Sequence, residues 1–190
     1  MTGISVFTSS LGPKRLEVLR ELVPKGSVIA FLVNPSSQIA ERQVQEIEEA
    51  ARTVGQRLYV LNASTEAEID RAFATLVQRK ASGLLMSADL FFQVQREQLI
   101  ALAARHAVPT MYEWREFVAA GGLISYSTIR GPAYVQGGTY VGRILNGAKP
   151  GDLPVIRSTA FELVLNLKTA KRLGLNISRD FLARVDEVIQ

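Results

Sequence analysis

The sequence predicts an α/β fold, a parallel sheet with helices on both faces, and three observations carry that prediction. Residues 28–33 form an unbroken apolar run rich in β-branched types, too short for a helix core, as a strand buried on both faces requires. Residues 40–54 place Ala40, Val44, Ile47, Ala51 and Val54 at three- and four-residue steps with charged residues between them, the pattern of a helix lying on a sheet. From residue 28 to residue 112 strand-like and helix-like stretches alternate with short connections, which implies parallel strands joined by crossover helices.

Residues 1–12 are mostly small and polar and read as a lead-in or hinge segment. From Pro13, the spacing of Leu16, Leu19, Leu22 and Val23 predicts a short helix stopped at Pro24. The strand at 28–33 ends at Asn34-Pro35, and Ser36 and Ser37 stand where a helix would begin. A helix opening there would aim free N–H groups and a positive dipole end at one spot, suited to a carboxylate, a phosphate or a polar ligand head. In the plainer reading Ser36 only caps a helix. Gly55 ends the helix at 40–54, and residues 57–61 give the next strand.

Ser64-Thr65-Glu66-Ala67-Glu68 carries a capping box, Thr65 reaching forward and Glu68 back, ahead of a helix to about Lys80. Residues 83–86 form a strand that leaves into Ser87-Ala88-Asp89. A helix over about 92–106 follows, with Leu99, Leu102, Ala103 and His106 on one side. Residues 108–112 read as a strand in which Pro109 favours a first or edge position. A short helix at 114–120 and Gly121-Gly122 lead to a strand at 123–127 that is free to leave the sheet. The last third yields a helix through Tyr134, Gly138, Val141 and Leu145, strands at 153–156 and 161–165, a helix at 167–173 and a terminal helix at 178–189. Residues 13–127 therefore read as one α/β lobe, and residues 128–190 as a segment completing a layer whose other elements are missing.

Composition narrows the function. The 190 residues are 47% hydrophobic, ample for a core. No cysteine is present, which removes disulfides and thiolate metal sites, and one histidine, His106, removes most histidine-based metal sites. The net charge is +4, but the 22 basic residues are scattered without interleaved aromatics, so the sequence does not point to nucleic acid. No apolar run is long enough to cross a bilayer, and no charged stretch followed by an apolar one marks an export signal.

In a parallel sheet ligands sit beyond the carboxyl ends of the strands. Three strand ends supply candidates there: Asn34 with Ser36, then Asp89, then Tyr112 with Glu113 and Trp114. Asp89 and Glu113 are also placed to form an acid–base pair, and acidic residues in exposed turns are the plain alternative. Tyr112, Trp114 and Tyr126 suit either an aromatic wall or the core. His106, at a helix C-terminus, reads as structural. Residues 137–142 fall inside a helical pattern and are no dinucleotide fingerprint.

The blocks 14–24, 28–35 (VIAFLVNP), 101–106 with Pro109, 112–118 (YEWREFV), 121–126 (GGLISY), 144–155 and 161–170 together resemble the ABC transporter substrate-binding proteins of the tryptophan, tyrosine or sugar type. That resemblance covers nearly the whole chain. It implies a type I periplasmic binding protein fold, two lobes joined by crossing strands, of which this chain holds the second lobe and elements of an incomplete first. It also implies a non-enzymatic solute-binding role with no cofactor and no metal, an amino acid or similar small ligand, an ABC permease as partner, and a periplasmic or membrane-anchored location outside the cytoplasm. The pocket-facing turns carried over fall at Asn34, Pro35, Ser36, Asp89, Tyr112, Ser125 and Tyr126. Two rival readings are a small α/β enzyme using Asp89 and Glu113, and a homodimer formed through residues 128–190.

Overall fold

The computed structural model describes residues 2–5, 9–157 and 160–190, so part of the lead-in and the stretch at 158–159 lie outside the described residues. The chain runs β1 (Gly3–Ser5), α1 (Gly12–Leu22), β2 (Val28–Val33), α2 (Ala40–Thr53), β3 (Arg57–Asn62), α3 (Glu66–Gln78) and β4 (Gly83–Met86). It continues with α4 (Leu90–Val94), α5 (Arg96–Arg105), β5 (Thr110–Tyr112), α6 (Arg115–Ala119), β6 (Ile124–Thr128) and α7 (Arg130–Leu145). Last come β7 (Val155–Arg157), β8 (Phe161–Asn166), α8 (Leu167–Arg172), α9 (Arg179–Leu182) and β9 (Glu187–Ile189).

Seven strands form one sheet in the order β3-β2-β4-β5-β6-β8-β9, every pair parallel except β6 with β8. Strand period 2 divides the core between the two faces. From β2, Ile29, Phe31 and Val33 pack with Leu16 and Leu19 of α1, Ile47 of α2 and Phe181 of α9, while Ala30 and Leu32 pack with Phe73 of α3, Leu99 of α5 and Phe117 of α6. An apolar run without alternation is what two covered faces demand. The chain moves from β2 outward to β3 and then returns past β2 to β4, so the sheet reverses direction between β2 and β4. Such a reversal opens a crevice at the carboxyl ends of those two strands.

Several expectations are corrected. Gly3–Ser5 is not loop but a strand paired with β7 in a separate parallel two-stranded sheet, too short to leave a periodic signal. The helix expected at 92–106 starts earlier, because Asp89 caps it, and breaks at Gln95 into α4 and α5. Pro109 lies just ahead of a central strand, where its missing N–H costs nothing and its carbonyl accepts the Leu84 N–H at 2.9 Å. β6 stays in the sheet beside β5. The terminal helix expected at 178–189 is only the short α9. Asp186 docks onto Leu163 through both its N–H and its carboxylate, and β9 pairs with β8. The sheets therefore divide the chain differently from a boundary at 128: residues 161–189 extend the main sheet, and residues 130–157 join β1 apart from it. In the capping box Thr65 accepts from the Glu68 N–H, but Glu68 reaches back to the Ser64 backbone and hydroxyl.

Gly122 marks the tightest backbone approach in the fold. A Cβ there would lie 2.6 Å from the Tyr112 ring and 2.8 Å from the Phe117 carbonyl oxygen, and the carbonyl has no flexible end to swing away. Gly122→Ala is expected to destabilise the chain by about 1–3 kcal/mol in urea unfolding. Gly137→Ala, in α7 with open space where its Cβ would stand, is expected to be neutral or to stabilise by up to about 1 kcal/mol.

Candidate functional site

The carboxyl ends of β2, β4 and β5 bring polar side chains together. Asn34 follows β2, and its Nδ2 donates to Asp89 Oδ1 across the reversal point at 3.0 Å. Asp89 follows β4, and the same Oδ1 accepts the Phe91 N–H at 2.9 Å, capping α4. Glu113 follows β5, and its carboxyl feels both the Asp89 backbone N–H and the Asp89 charge. The ends of β2 and β4 are thus tied by a hydrogen bond, and the end of β5 is coupled to them electrostatically. Both side-chain bonds of Asp89 fall on Oδ1, and the residue is half-buried.

Glu113 is 7% exposed, and burial pushes its carboxyl up to about 7. The positive charges of Arg15 and Arg130 and the Asp89 N–H oppose that rise, while the Asp89 charge adds to it. Arg15, 1% exposed, donates from Nε to the Tyr126 carbonyl at 2.8 Å. Burial pulls its guanidinium down to about 10, so it keeps its charge at neutral pH, helped by Glu113. Gln43 of α2 donates to the Ala88 carbonyl at 3.1 Å and supports the turn after β4. At the other flank the Arg130 guanidinium lies 4.3 Å from the Trp114 ring centroid and pairs with Glu116.

The candidates separate into three groups. Asn34 and Asp89 meet directly, with Glu113 beneath them. Tyr126, half-buried and stacked on Phe161 at 5.9 Å, joins the cluster through its carbonyl and Arg15. Pro35 and Ser36 are exposed on the rim. No helix opens at Ser36: α2 begins at Ala40 behind Ile39, which makes no side-chain cap. The reason is Asn34, whose Oδ1 accepts the Ser36 N–H at 3.0 Å and whose carbonyl accepts the Ser37 N–H at 3.1 Å, so the N–H groups expected to face a ligand close a turn. Tyr112 and Ser125 lie in the core, level with each other in the β5–β6 register. The Tyr112 ring is stacked on Phe117 at 4.8 Å, on the face opposite Glu113, and burial raises its hydroxyl far above the ordinary range. Ser125 is fully buried, three residues short of the end of β6, and its Oγ has no hydrogen-bond partner among the described residues.

Sequence reasoning missed Arg15 and Gln43. Each is a polar side chain on an otherwise apolar helix stripe, Arg15 one turn before Leu19 and Gln43 one turn before Ile47, and that placement was the available signal. His106 caps the end of α5 and stacks on Phe73, at the opposite edge of the sheet from the cluster. Among the described residues no cluster of three metal-ligating side chains occurs, and no helix is long and apolar enough to cross a membrane.

With this geometry in place, comparison with known proteins identifies the family. Residues 1–189 match the family described as ABC transporter substrate binding protein. The tyrosine-binding protein of Clostridioides difficile (strain R20291) is 24% identical over 162 residues, covering 85% of this chain and 47% of that protein. A Streptococcus pneumoniae ABC domain solved in complex with L-Trp superposes with a TM-score of 0.85 at 23% identity, covering 99% of this chain and 63% of the other. A conserved domain protein from Vibrio cholerae gives the same TM-score at 24% identity, with 98% and 62% covered. The chain thus spans about half the length of the curated relative and about three-fifths of these solved chains. It has the α/β fold of periplasmic binding protein lobes, and it belongs to the ABC transporter substrate-binding protein family.

Proposed function

We propose that this chain is the ligand-binding lobe of an ABC-importer solute-binding protein, and that its ligand is an amino acid or a closely similar small polar molecule. The observation that carries the reading is the Asn34–Asp89 hydrogen bond at the reversal point of the sheet, where an acidic side chain stands half-buried beyond the strand ends, close to the buried Glu113. Asp89 Oδ2 is the group offered to the ligand's ammonium. Residues 2–5 and the stretch after β6 are the crossings towards a second lobe, which closes over the same edge and supplies the remaining contacts. A relative named for tyrosine binding and a structural neighbour holding L-Trp support an amino acid as the ligand class. The partner is an ABC permease and the setting lies outside the cytoplasm, as the family implies.

The acidic pair serves binding here rather than catalysis. Glu113 is buried under the influence of the Arg15 charge, and that leaves the more exposed Asp89 to meet the ligand.

In the two-lobed protein carrying this lobe, Asp89→Asn is expected to weaken binding of L-tryptophan or L-tyrosine by about 10- to 100-fold, the loss of one charge-assisted hydrogen bond. Tyr112→Phe, a change within the core, is expected to leave affinity within about twofold. Calorimetric titration reads both, and wild-type affinity in the Asp89→Asn protein would exclude that residue as a ligand contact.

A further inference from the structure

We propose that Arg130 is a second ligand-binding residue of this site, taking the carboxylate of the amino acid whose ammonium Asp89 holds. The inference rests on the functional reading above and deepens it: a site that engages both charged groups selects an α-amino acid over an amine or an acid alone.

Arg130 opens α7, two positions past the end of β6, on the stretch that crosses away from the main sheet. The strand order sets β5 between β4 and β6, so the turns that carry Asp89, Trp114 and Arg130 stand side by side at one edge. Trp114 is fixed by its packing in the core, with only 9% of its surface exposed. The Arg130 guanidinium lies on that ring, 4.3 Å from its centroid, which draws a long and otherwise mobile side chain back towards the end of β5. Glu116, the second residue of α6, accepts from Nη2 and sets the plane of the group. Nε and Nη1 have no hydrogen-bond partner among the described residues.

A guanidinium fork with donors to spare, held flat on an aromatic ring, is suited to a carboxylate. The Arg130 side chain is 32% exposed and that of Glu116 48%, so the ion pair between them is a weak surface pair that a ligand can share. Of the two arginines near these strand ends, Arg15 is 1% exposed and turned to the Tyr126 carbonyl, which leaves Arg130 as the one a ligand can reach. The spacing also fits. Neighbouring strands stand about 4.8 Å apart, so with its guanidinium drawn over the end of β5, Arg130 is one to two strand spacings, about 5–10 Å, from the turn after β4. An α-amino acid hydrogen-bonded at both charged groups spans roughly 8–9 Å from acid oxygen to guanidinium nitrogen.

Two ligands that differ only in the carboxylate test the proposal. In the two-lobed protein carrying this lobe, calorimetry is expected to show L-tryptophan binding at least about tenfold more tightly than tryptamine. Arg130→Met keeps an apolar stem to lie on Trp114; it is expected to weaken L-tryptophan about 10- to 100-fold and tryptamine less than about twofold, which brings the two Kd values together. Arg130→Lys, with the charge but not the fork, is expected to fall between wild type and Arg130→Met. Because the ion pair lost is exposed, both variants are expected to melt within about 4 °C of the wild type. L-Tyrosine and tyramine serve as the pair if L-tyrosine is the tighter ligand. Equal losses for amino acid and amine in Arg130→Met overturn the carboxylate contact, since a structural role alone weakens both. A wild-type protein that binds the amine as tightly as the amino acid overturns it too, and in either case the functional reading stands. Binding of neither L-tryptophan nor L-tyrosine by the wild type overturns the functional reading, and the role of Arg130 with it.

Discussion

The site depends on one constraint: two strand ends that would otherwise lead into independent loops are fastened to each other by Asn34 and Asp89, with the buried Glu113 carboxyl coupled to them from the end of β5. In a parallel sheet the backbone groups beyond the last paired residues need partners outside the ladder. Here side chains supply them: Asn34 takes the Ser36 N–H, Asp89 the Phe91 N–H and Gln43 the Ala88 carbonyl, while Asn34 also reaches from β2 to Asp89 after β4. A loop held in this way has few conformations left to lose when a ligand arrives, which is the main cost that preorganisation removes. The arrangement has its own cost, since Glu113 and Arg15 are both taken out of water. Burying charges together is often near break-even in free energy, and removing one partner strands the other. The geometry of the turn after β4 is what the cluster secures.

Fold and site were legible to different degrees for physical reasons. The strands at 28–33 and 83–86 were plain because burial on both faces imposes a continuous apolar run, which nothing else on a surface would tolerate. The order of the strands was not, because the reversal between β2 and β4 is a property of crossovers and leaves no local trace. The carboxyl end of the chain misled for a related reason: residues 178–189 carry a helix-compatible spacing, and only the docking of Asp186 on Leu163 converts the last of them into β9. Tertiary pairing there overrides local propensity.

At the site, the misreadings turn on which group takes a hydrogen bond first. Ser36 looked like a helix opening because a hydroxyl follows a strand and a proline. Asn34 stands two residues earlier and takes the same N–H groups into a turn, which delays the helix to Ala40. Tyr112 looked like a wall because it ends a strand. Its face is fixed by parity, opposite to Met111 and Glu113, and Gly122 leaves the space its ring fills. Asp89 was legible because a short acidic side chain after a buried strand has few roles other than a cap or a contact, and here it serves as a cap with one oxygen to spare.

Magnitudes are consistent with the proposed role of this lobe as one jaw of two. A single charge-assisted hydrogen bond contributes about 1.5–3 kcal/mol, whereas micromolar affinity needs about 8 kcal/mol. As the proposed contact, Asp89 alone would supply a minority of the binding free energy, and the buried Arg15 is engaged by the Tyr126 carbonyl and the Glu113 charge rather than turned outward. On the proposed reading, the edge offers its negative charge to the ammonium end of an amino acid. The ligand's carboxylate and side chain then call for donors and apolar surface from a partner lobe, and their arrival is what makes the closed state lower in free energy than the open one. A pocket divided in this way makes closure conditional on a ligand that spans both halves, so discrimination arises from the closing step as well as from the first contact with Asp89.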